Sequence, residues 1–378
     1  MVRAILATTG LLLVLAVIAF FWLRYEYSRA EITDPMSRWR QVPVAELKQE
    51  YPEPQPCRQQ YPERRAWFGA THVHTAVSYD ASAFGTTTTP AMAYAFARGE
   101  PIPLRLWEDR ADEDVPVQVI SAPLDFMAVT DHAGDLGENR LCHTVDSEAY
   151  NTLPCRLYRG DLRLPVDDDM QPIMRLASMA MFGKERSRRV CGPDGSRCLQ
   201  QAQAVWQENQ QATEDWLDRS ADCRFSTLHG SEYTLATESS NLHRNVLFRS
   251  SVVPQAALSA KEARQPEVLW RALKDNCIDG HPDCDVLAIP HNSNWSSGRM
   301  WQPHSNSKLP HHEKRALAEL RAELEPLAEI LQVKGDSECR NGIASVYGPA
   351  DEFCDFEKLR PAAEKIEDCG EAIGSGGM

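Results

Sequence analysis

The chain has 378 residues, with 40 basic and 54 acidic side chains and a formal charge of −14. Hydrophobic residues make up 43% and charged residues 25%, which excludes a disordered polymer, a collagen and a polytopic membrane protein. The acidic balance argues against a general nucleic-acid binder, which needs a basic surface for polyphosphate.

After Met1-Val2-Arg3, residues 4–23 carry no charge. As a helix they reach about 30 Å, the hydrocarbon thickness of a bilayer. The run is long for a signal sequence and closes on Phe20-Phe21-Trp22 before Arg24. Residues 1–30 are therefore read as a transmembrane anchor, with a signal sequence cleaved at Ser28-Arg29-Ala30 as the alternative. The lipid bilayer is an expected partner through residues 4–23. The domain that follows is expected on the exported, periplasmic or extracellular side, or secreted after cleavage. Residues 31–64 contain Pro43, Pro52, Pro54 and Pro62 and read as a linker and domain entry.

Eleven cysteines are an odd number, and their spacing agrees with export. Cys191 with Cys198, Cys277 with Cys284, and Cys142 with Cys155 are candidate disulfides that bracket turn-rich loops. No Cys-x-x-Cys occurs, so a zinc–thiolate site is the poorer reading.

From Trp67 onward the pattern is strand, loop, helix, repeated. Thr89-Pro90 caps a helix that ends near Gly99. Phe126-Met127-Ala128-Val129 is a short apolar run of the kind buried on both faces. Residues 140–200 show no clear periodicity. Residues 200–218 read as helix, Val246-Leu247-Phe248 and Val286-Leu287-Ala288-Ile289 as strands, His311–Glu325 as a charged amphipathic helix, and Ile330-Leu331-Gln332-Val333 as a further strand. Alternating strands and helices predict an α/β fold with a largely parallel sheet.

The chemistry falls at the strand ends. In Thr71-His72-Val73-His74-Thr75, residues two apart in an extended chain point to one face, so His72 and His74 present two imidazoles together. The second apolar run closes on Thr130-Asp131-His132. A third candidate strand carries Glu232, and the run at 286–289 leads into Pro290-His291-Asn292. Parallel α/β folds bind ligands where strands end at their carboxyl edge. One satisfied core histidine explains one such case but explains four poorly. A nitrogen- and oxygen-rich set without thiolate suits Zn²⁺, Mn²⁺ or Fe²⁺. His72, His74, His132, Glu232 and His291 exceed the needs of one tetrahedral ion, so two or three ions bridged by Glu232 are expected. Arg244 is the favoured candidate for binding an anionic group of a small-molecule substrate, ahead of Arg249, Arg299 and Lys334. His143, His281, His304, His311 and His312 read as surface residues.

The ordered motifs Trp-Phe-Gly-x-x-His-x-His-Thr, Phe-x-Ala-Val-Thr-Asp-His and Ile-Pro-His-Asn-Ser-Asn resemble an uncharacterised bacterial family. That family is related to the PHP (polymerase and histidinol phosphatase) superfamily of metal-dependent phosphoesterases. The resemblance implies a PHP-like distorted (β/α)7 barrel over residues 65–378, with a two- or three-metal cluster at the carboxyl ends of its strands. It implies His72, His74, Asp80, His132, Glu232, His243 and His291 as metal ligands, with Asp131 either ligating or orienting His132. No Asp-x-His follows His291 in this sequence, so the barrel is expected to lack its last strand or strands. The implied function is metal-dependent hydrolysis of phosphoesters by activated hydroxide. Hydrolysis of an amide or lactone, and a non-catalytic membrane-tethered metal-binding protein, are the competing readings.

Overall fold

The computed structural model describes residues 16–36, 39, 44–45, 51–103, 117–237, 240–293, 296, 299–301 and 309–329. Five strands make the principal sheet, in this order across it: β1 (Gly69–Ala70), β2 (Phe126–Ala128), β3 (Ser226–Thr237), β4 (Ser240–Phe248) and β5 (Val286–His291). β1 pairs parallel with β2, and β2 with β3; β3–β4 and β4–β5 are antiparallel. The expected PHP-like (β/α)7 barrel is therefore not formed. The fold is mixed α/β, with a curled five-stranded sheet. Connection length gives the reason. β3 ends at Thr237 and β4 starts at Ser240. A parallel pair requires a crossover of roughly a dozen residues or more, so this chain can only turn back as a hairpin.

The reversal positions the site. β4 runs against its neighbours, so its amino end lies at the edge where the other strands have their carboxyl ends. Side chains alternate across a strand. One set on β3, β4 and β5 (Tyr233, Leu235, Leu242, Val246, Phe248, Val286 and Ala288) joins the main apolar core with Trp206, Leu269 and Trp270. The alternate set includes Glu232, Thr234, His243 and His291, brought side by side by the registers Thr234–His243 and His243–His291.

After the N-terminal helix, the described α-helices are α1 (Tyr79–Ala83), α2 (Pro90–Ala97), α3 (Leu136–His143), α4 (Leu153–Tyr158), α5 (Gln171–Ala180), α6 (Arg188–Cys191), α7 (Ser196–Trp216), α8 (Pro266–Leu273) and α9 (His311–Leu324). The Thr89 hydroxyl caps α2 by accepting from the Met92 N–H at 3.3 Å, and Gly99 follows the helix at φ +92°. α7 lies along α3 with almost no space between them. A Cβ added at Gly137 would sit 1.9 Å from the Cys198 carbonyl oxygen. Residues 140–200 lacked a period because α3 to α6 are short and pack as a separate cluster. Cys142, Cys155, Cys191 and Cys198 are part of its apolar core, with Leu141, Tyr158 and Met179.

The expected membrane span is corrected as well. No helix of the described residues is long and apolar enough to cross a membrane. Among the described residues the N-terminal helix comprises residues 16–26. Its end docks on the domain. Glu26 accepts from the Leu153 N–H at 3.1 Å and pairs with Arg189 at 3.3 Å, and Tyr27 stacks on Phe182. Residues 4–15, His304, the strand expected at 330–333, and Lys334 lie outside the described residues.

Four disulfides join Cys57–Cys223, Cys142–Cys155, Cys191–Cys198 and Cys277–Cys284. The last three are those the spacing suggested. Cys57–Cys223 spans 166 residues and leaves no local signature. Of the eleven cysteines, Cys339, Cys354 and Cys369 remain outside the described residues. In denaturant without reductant, a thiol reagent should therefore titrate at most three groups, the eleven in the sequence less the eight paired. After reduction it should titrate all eleven. More than three reactive thiols before reduction would contradict the pairing.

Candidate metal centre

Two backbone bonds carry the parallel ladder past the named strands. The Thr130 N–H donates to the Val73 carbonyl at 2.8 Å, and the Glu232 N–H to the Asp131 carbonyl at 2.9 Å. The Asp131 carboxylate accepts from the Thr75 N–H at 2.6 Å and from the Thr75 hydroxyl at 2.9 Å. It thereby fixes the loop that bears His72 and His74 against the loop that bears His132. Both Asp131 oxygens are engaged on Thr75, so Asp131 acts on the frame of the site, and burial pushes its carboxyl up to about 6 despite these bonds.

Glu232, 1% exposed, stands at the middle of five imidazoles. Its carboxylate oxygens lie 3.6 Å from His72 Nε2, 2.8 Å from His74 Nε2, 3.3 Å from His132 Nδ1, 2.6 Å from His243 Nδ1 and 3.4 Å from His291 Nε2. The rings touch one another: His72 and His291 have centroids 4.0 Å apart, His74 and His132 4.6 Å. Two groups share Glu232. One is His72, Glu232 and His291, and the other is His74, His132 and Glu232. In each, the possible ligand atoms lie within 4.8 Å of one another.

The outward nitrogens are tied down. His72 Nδ1 meets Glu329 Oε2 at 3.1 Å, and His74 Nδ1 meets Asp80 Oδ1 at 3.2 Å and Ser78 Oγ at 3.0 Å. His291 Nδ1 faces the Ile289 carbonyl at 3.3 Å. With their Nδ1 protons donated outward, these three imidazoles turn Nε2 lone pairs toward Glu232. Metal-ligating histidines have this arrangement, in which a carboxylate or carbonyl on one nitrogen fixes the tautomer and leaves the other for the ion. The second carboxylate oxygen of Asp80 reaches His132 Nε2 at 3.2 Å, so Asp80 spans two imidazoles of one group.

A direct test of fit lies in the buried atoms. His74 Nε2 and Glu232 Oε2 are 2.8 Å apart without hydrogen-bond geometry, and neither has a partner among the described residues. His243 Nε2 is likewise buried and unpartnered. Buried polar atoms are ordinarily satisfied, and several orphans converging on one carboxylate fit a cation held between them. Protons alone serve the cluster poorly. Burial would raise the Glu232 carboxyl, but His132, His291 and His243 outweigh it and hold it well below the usual range. Burial opposes protonation of His74 and His72, yet their carboxylate neighbours raise both, His74 strongly. Burial pushes His243 down to about 4 against the pull of Glu232, and lowers His291 too. Asp80, beside His132 and His74, is held below the usual carboxylate range although burial works the other way.

Each of the nine residues singled out from sequence now has a place. His72, His74, Asp80, His132, Glu232, His243 and His291 come together, and Asp131 frames them. Arg244 does not join. As the strand neighbour of His243 it points to the opposite face, where it ion-pairs with Glu325 and lies over Trp270 at 5.6 Å. Three contributors were not read from sequence. Thr234 donates to Glu232 Oε1 at 2.5 Å and lies 2.8 Å from His132 Nδ1 and 3.0 Å from His243 Nδ1. Its position two residues after Glu232 on a strand was the available signal. Ser78 donates to Asp80 at 2.6 Å and accepts from the His132 N–H at 3.2 Å. Glu329 reaches His72 from beyond α9, anchored by its N–H on the Pro290 carbonyl, and nothing local marks it.

Fold and site together define a mixed α/β protein with a histidine-rich pocket built on one shared carboxylate. The chain belongs to the family described as "Protein of unknown function (DUF3604)", whose match covers residues 61–372. Comparisons with curated proteins and with solved structures gave no match.

Proposed function

We propose that this chain is a metal-dependent hydrolase acting on phosphoester bonds of a small anionic substrate. The observation that carries the reading is the pair of histidine groups sharing Glu232, each with imidazoles tied outward by carboxylate or carbonyl. The residues fit two divalent cations, one near His72 and His291 and one near His74 and His132, with Glu232 common to both. Bound there, such ions would supply Lewis acidity and bring the pKa of a water toward neutrality. The protein's own part is positional. Asp80 and Glu329 orient His74 and His72, and Thr234 holds the Glu232 carboxylate against two imidazoles. The opening toward solvent runs past His72, His74, Asp80 and Glu329, which are part-exposed, whereas Glu232 and His291 are not. The motif resemblance to PHP phosphoesterases favours phosphorus over carbonyl carbon as the attacked centre. The four disulfides support an oxidising compartment outside the cytosol as the place of action.

The test uses the full chain, loaded in turn with Zn²⁺, Mn²⁺ and Fe²⁺. Elemental analysis should find two ions per chain, and hydrolysis is assayed on phosphomonoesters, phosphodiesters and lactones. His72→Ala and His132→Ala should each lower the stoichiometry by one, since they belong to different groups. Unchanged metal content in both variants would falsify the site. Two bound ions with turnover of lactones alone would move the assignment to carbonyl chemistry. Two bound ions with no turnover would favour a metal-binding protein.

A further inference from the structure

Beside His132 the centre opens into a small cavity of about 80 Å³, on the side away from His72. Tyr79, His132 and Thr234 line it together with Asp135, Lys184 and Lys261. Tyr79 is the first residue of α1, directly after the loop that holds His74 and Ser78. Its ring packs on His132 with centroids 4.7 Å apart, and its backbone carbonyl accepts from the Tyr158 hydroxyl at 2.8 Å.

Its hydroxyl stands apart from those of the fully buried tyrosines. The Tyr94 hydroxyl bonds Thr213, that of Tyr158 donates to the Tyr79 carbonyl and Asn139, and that of Tyr233 donates to the Ala263 carbonyl. The Tyr79 hydroxyl has no such bond among the described residues and lies at the cavity. A tyrosine packed this closely ordinarily finds a partner for its O–H. The carboxylates of Asp135, Asp80 and Glu232 act on it, so an anion is received there through the two cavity lysines and the cations the centre would hold. Asp135 is neutralised by Lys261 at 3.2 Å, and Lys184 meets, among the described residues, the Arg264 carbonyl at 3.5 Å. The volume admits a few waters or one tetrahedral oxyanion.

We propose that Tyr79 binds the substrate of this centre, its hydroxyl donating to an anionic oxygen of a phosphoryl-sized group lodged beside His132. This rests on the reading of the centre as a phosphoester hydrolase. A phenol suits the position because it donates a hydrogen bond without competing for the cations as another carboxylate or imidazole would. The apolar Met179, Ala180 and Ala236 around it exclude water and strengthen that bond.

The experiment compares the metal-loaded full chain with its Tyr79→Phe variant, which keeps the ring on His132 and removes one oxygen. Calorimetric titration with inorganic phosphate should show roughly tenfold to hundredfold weaker binding in the variant, the worth of a hydrogen bond to a charged group. Metal content should stay unchanged, and with a phosphomonoester the variant should lose kcat/KM by a similar factor. Equal phosphate affinity in the two proteins, or no phosphate binding by the unaltered chain, overturns the proposal. Tyr79-dependent phosphate binding without hydrolysis of any ester supports the oxyanion site and defeats the hydrolase reading instead.

Discussion

Replacing Glu232 with glutamine is expected to remove both cations at once. The substitution keeps the shape of the side chain and takes away one negative charge and one acceptor oxygen. Every imidazole of the centre is measured against that carboxylate, and both ligand groups contain it. An amide offers a cation one neutral carbonyl, and it cannot bridge two ions as a carboxylate does. Its NH₂ nitrogen has no lone pair to offer a cation. Elemental analysis of Glu232→Gln should therefore find close to no metal, whereas His72→Ala retains one ion. Each factor of ten in rate is about 1.4 kcal/mol, and loss of the ions removes several kcal/mol of charge stabilisation, so turnover should fall about a thousandfold or more. A glutamine variant that keeps both ions would show that the two groups do not share Glu232.

What could be read from the sequence follows the range of the signals. His72 and His74 were legible because residues two apart on an extended segment share a face. Glu232 and His291 were legible because polar residues at the ends of apolar runs are conspicuous. The same alternation, applied one residue further, separates Arg244 from His243 and sends it to the core face beside Trp270. Thr234 falls under that rule too, but a threonine in a strand is ordinary and carries no mark of its own. Glu329 depends on a long-range arrangement. Glu325 accepts from Trp270 Nε1 at 2.7 Å and from Arg321 Nε at 2.8 Å, and also pairs with Arg244; this anchors the segment that brings Glu329 to His72. No local pattern encodes such a path. The sheet was misread for a related reason. β3 and β4 each combine apolar core positions with polar site positions, so only their most apolar stretches were recognised, and the two-residue hairpin between them passed unnoticed.

Arg186→Met is expected to be the most destabilising of the substitutions away from the centre. Arg186 is 2% exposed and holds three elements together. Its Nη1 donates to both oxygens of Glu138 on α3, at 2.7 and 2.8 Å, and its Nη2 donates to Glu262 at 2.7 Å. Lys261 adds a second cation, 3.2 Å from Asp135 and 3.9 Å from Glu138. Burial disfavours the charged guanidinium, yet Glu138 and Glu262 outweigh it and raise its pKa. Methionine fills much of the volume but leaves Glu138 buried with only the more distant lysine opposite it. Breaking a buried pair from one side costs about 3–5 kcal/mol, chiefly the penalty of the stranded charge. At this chain length that corresponds to a fall of roughly 5 °C in the unfolding midpoint. The double variant Arg186→Met with Glu138→Leu should recover part of the loss, because it removes the stranded carboxylate as well. Asp135 lies one residue before α3, and it lines the cavity with His132, so the same network braces that wall. Thermal unfolding of the single and double variants decides the matter: a double variant less stable than Arg186→Met would mean that Glu138 is held by something other than this pair.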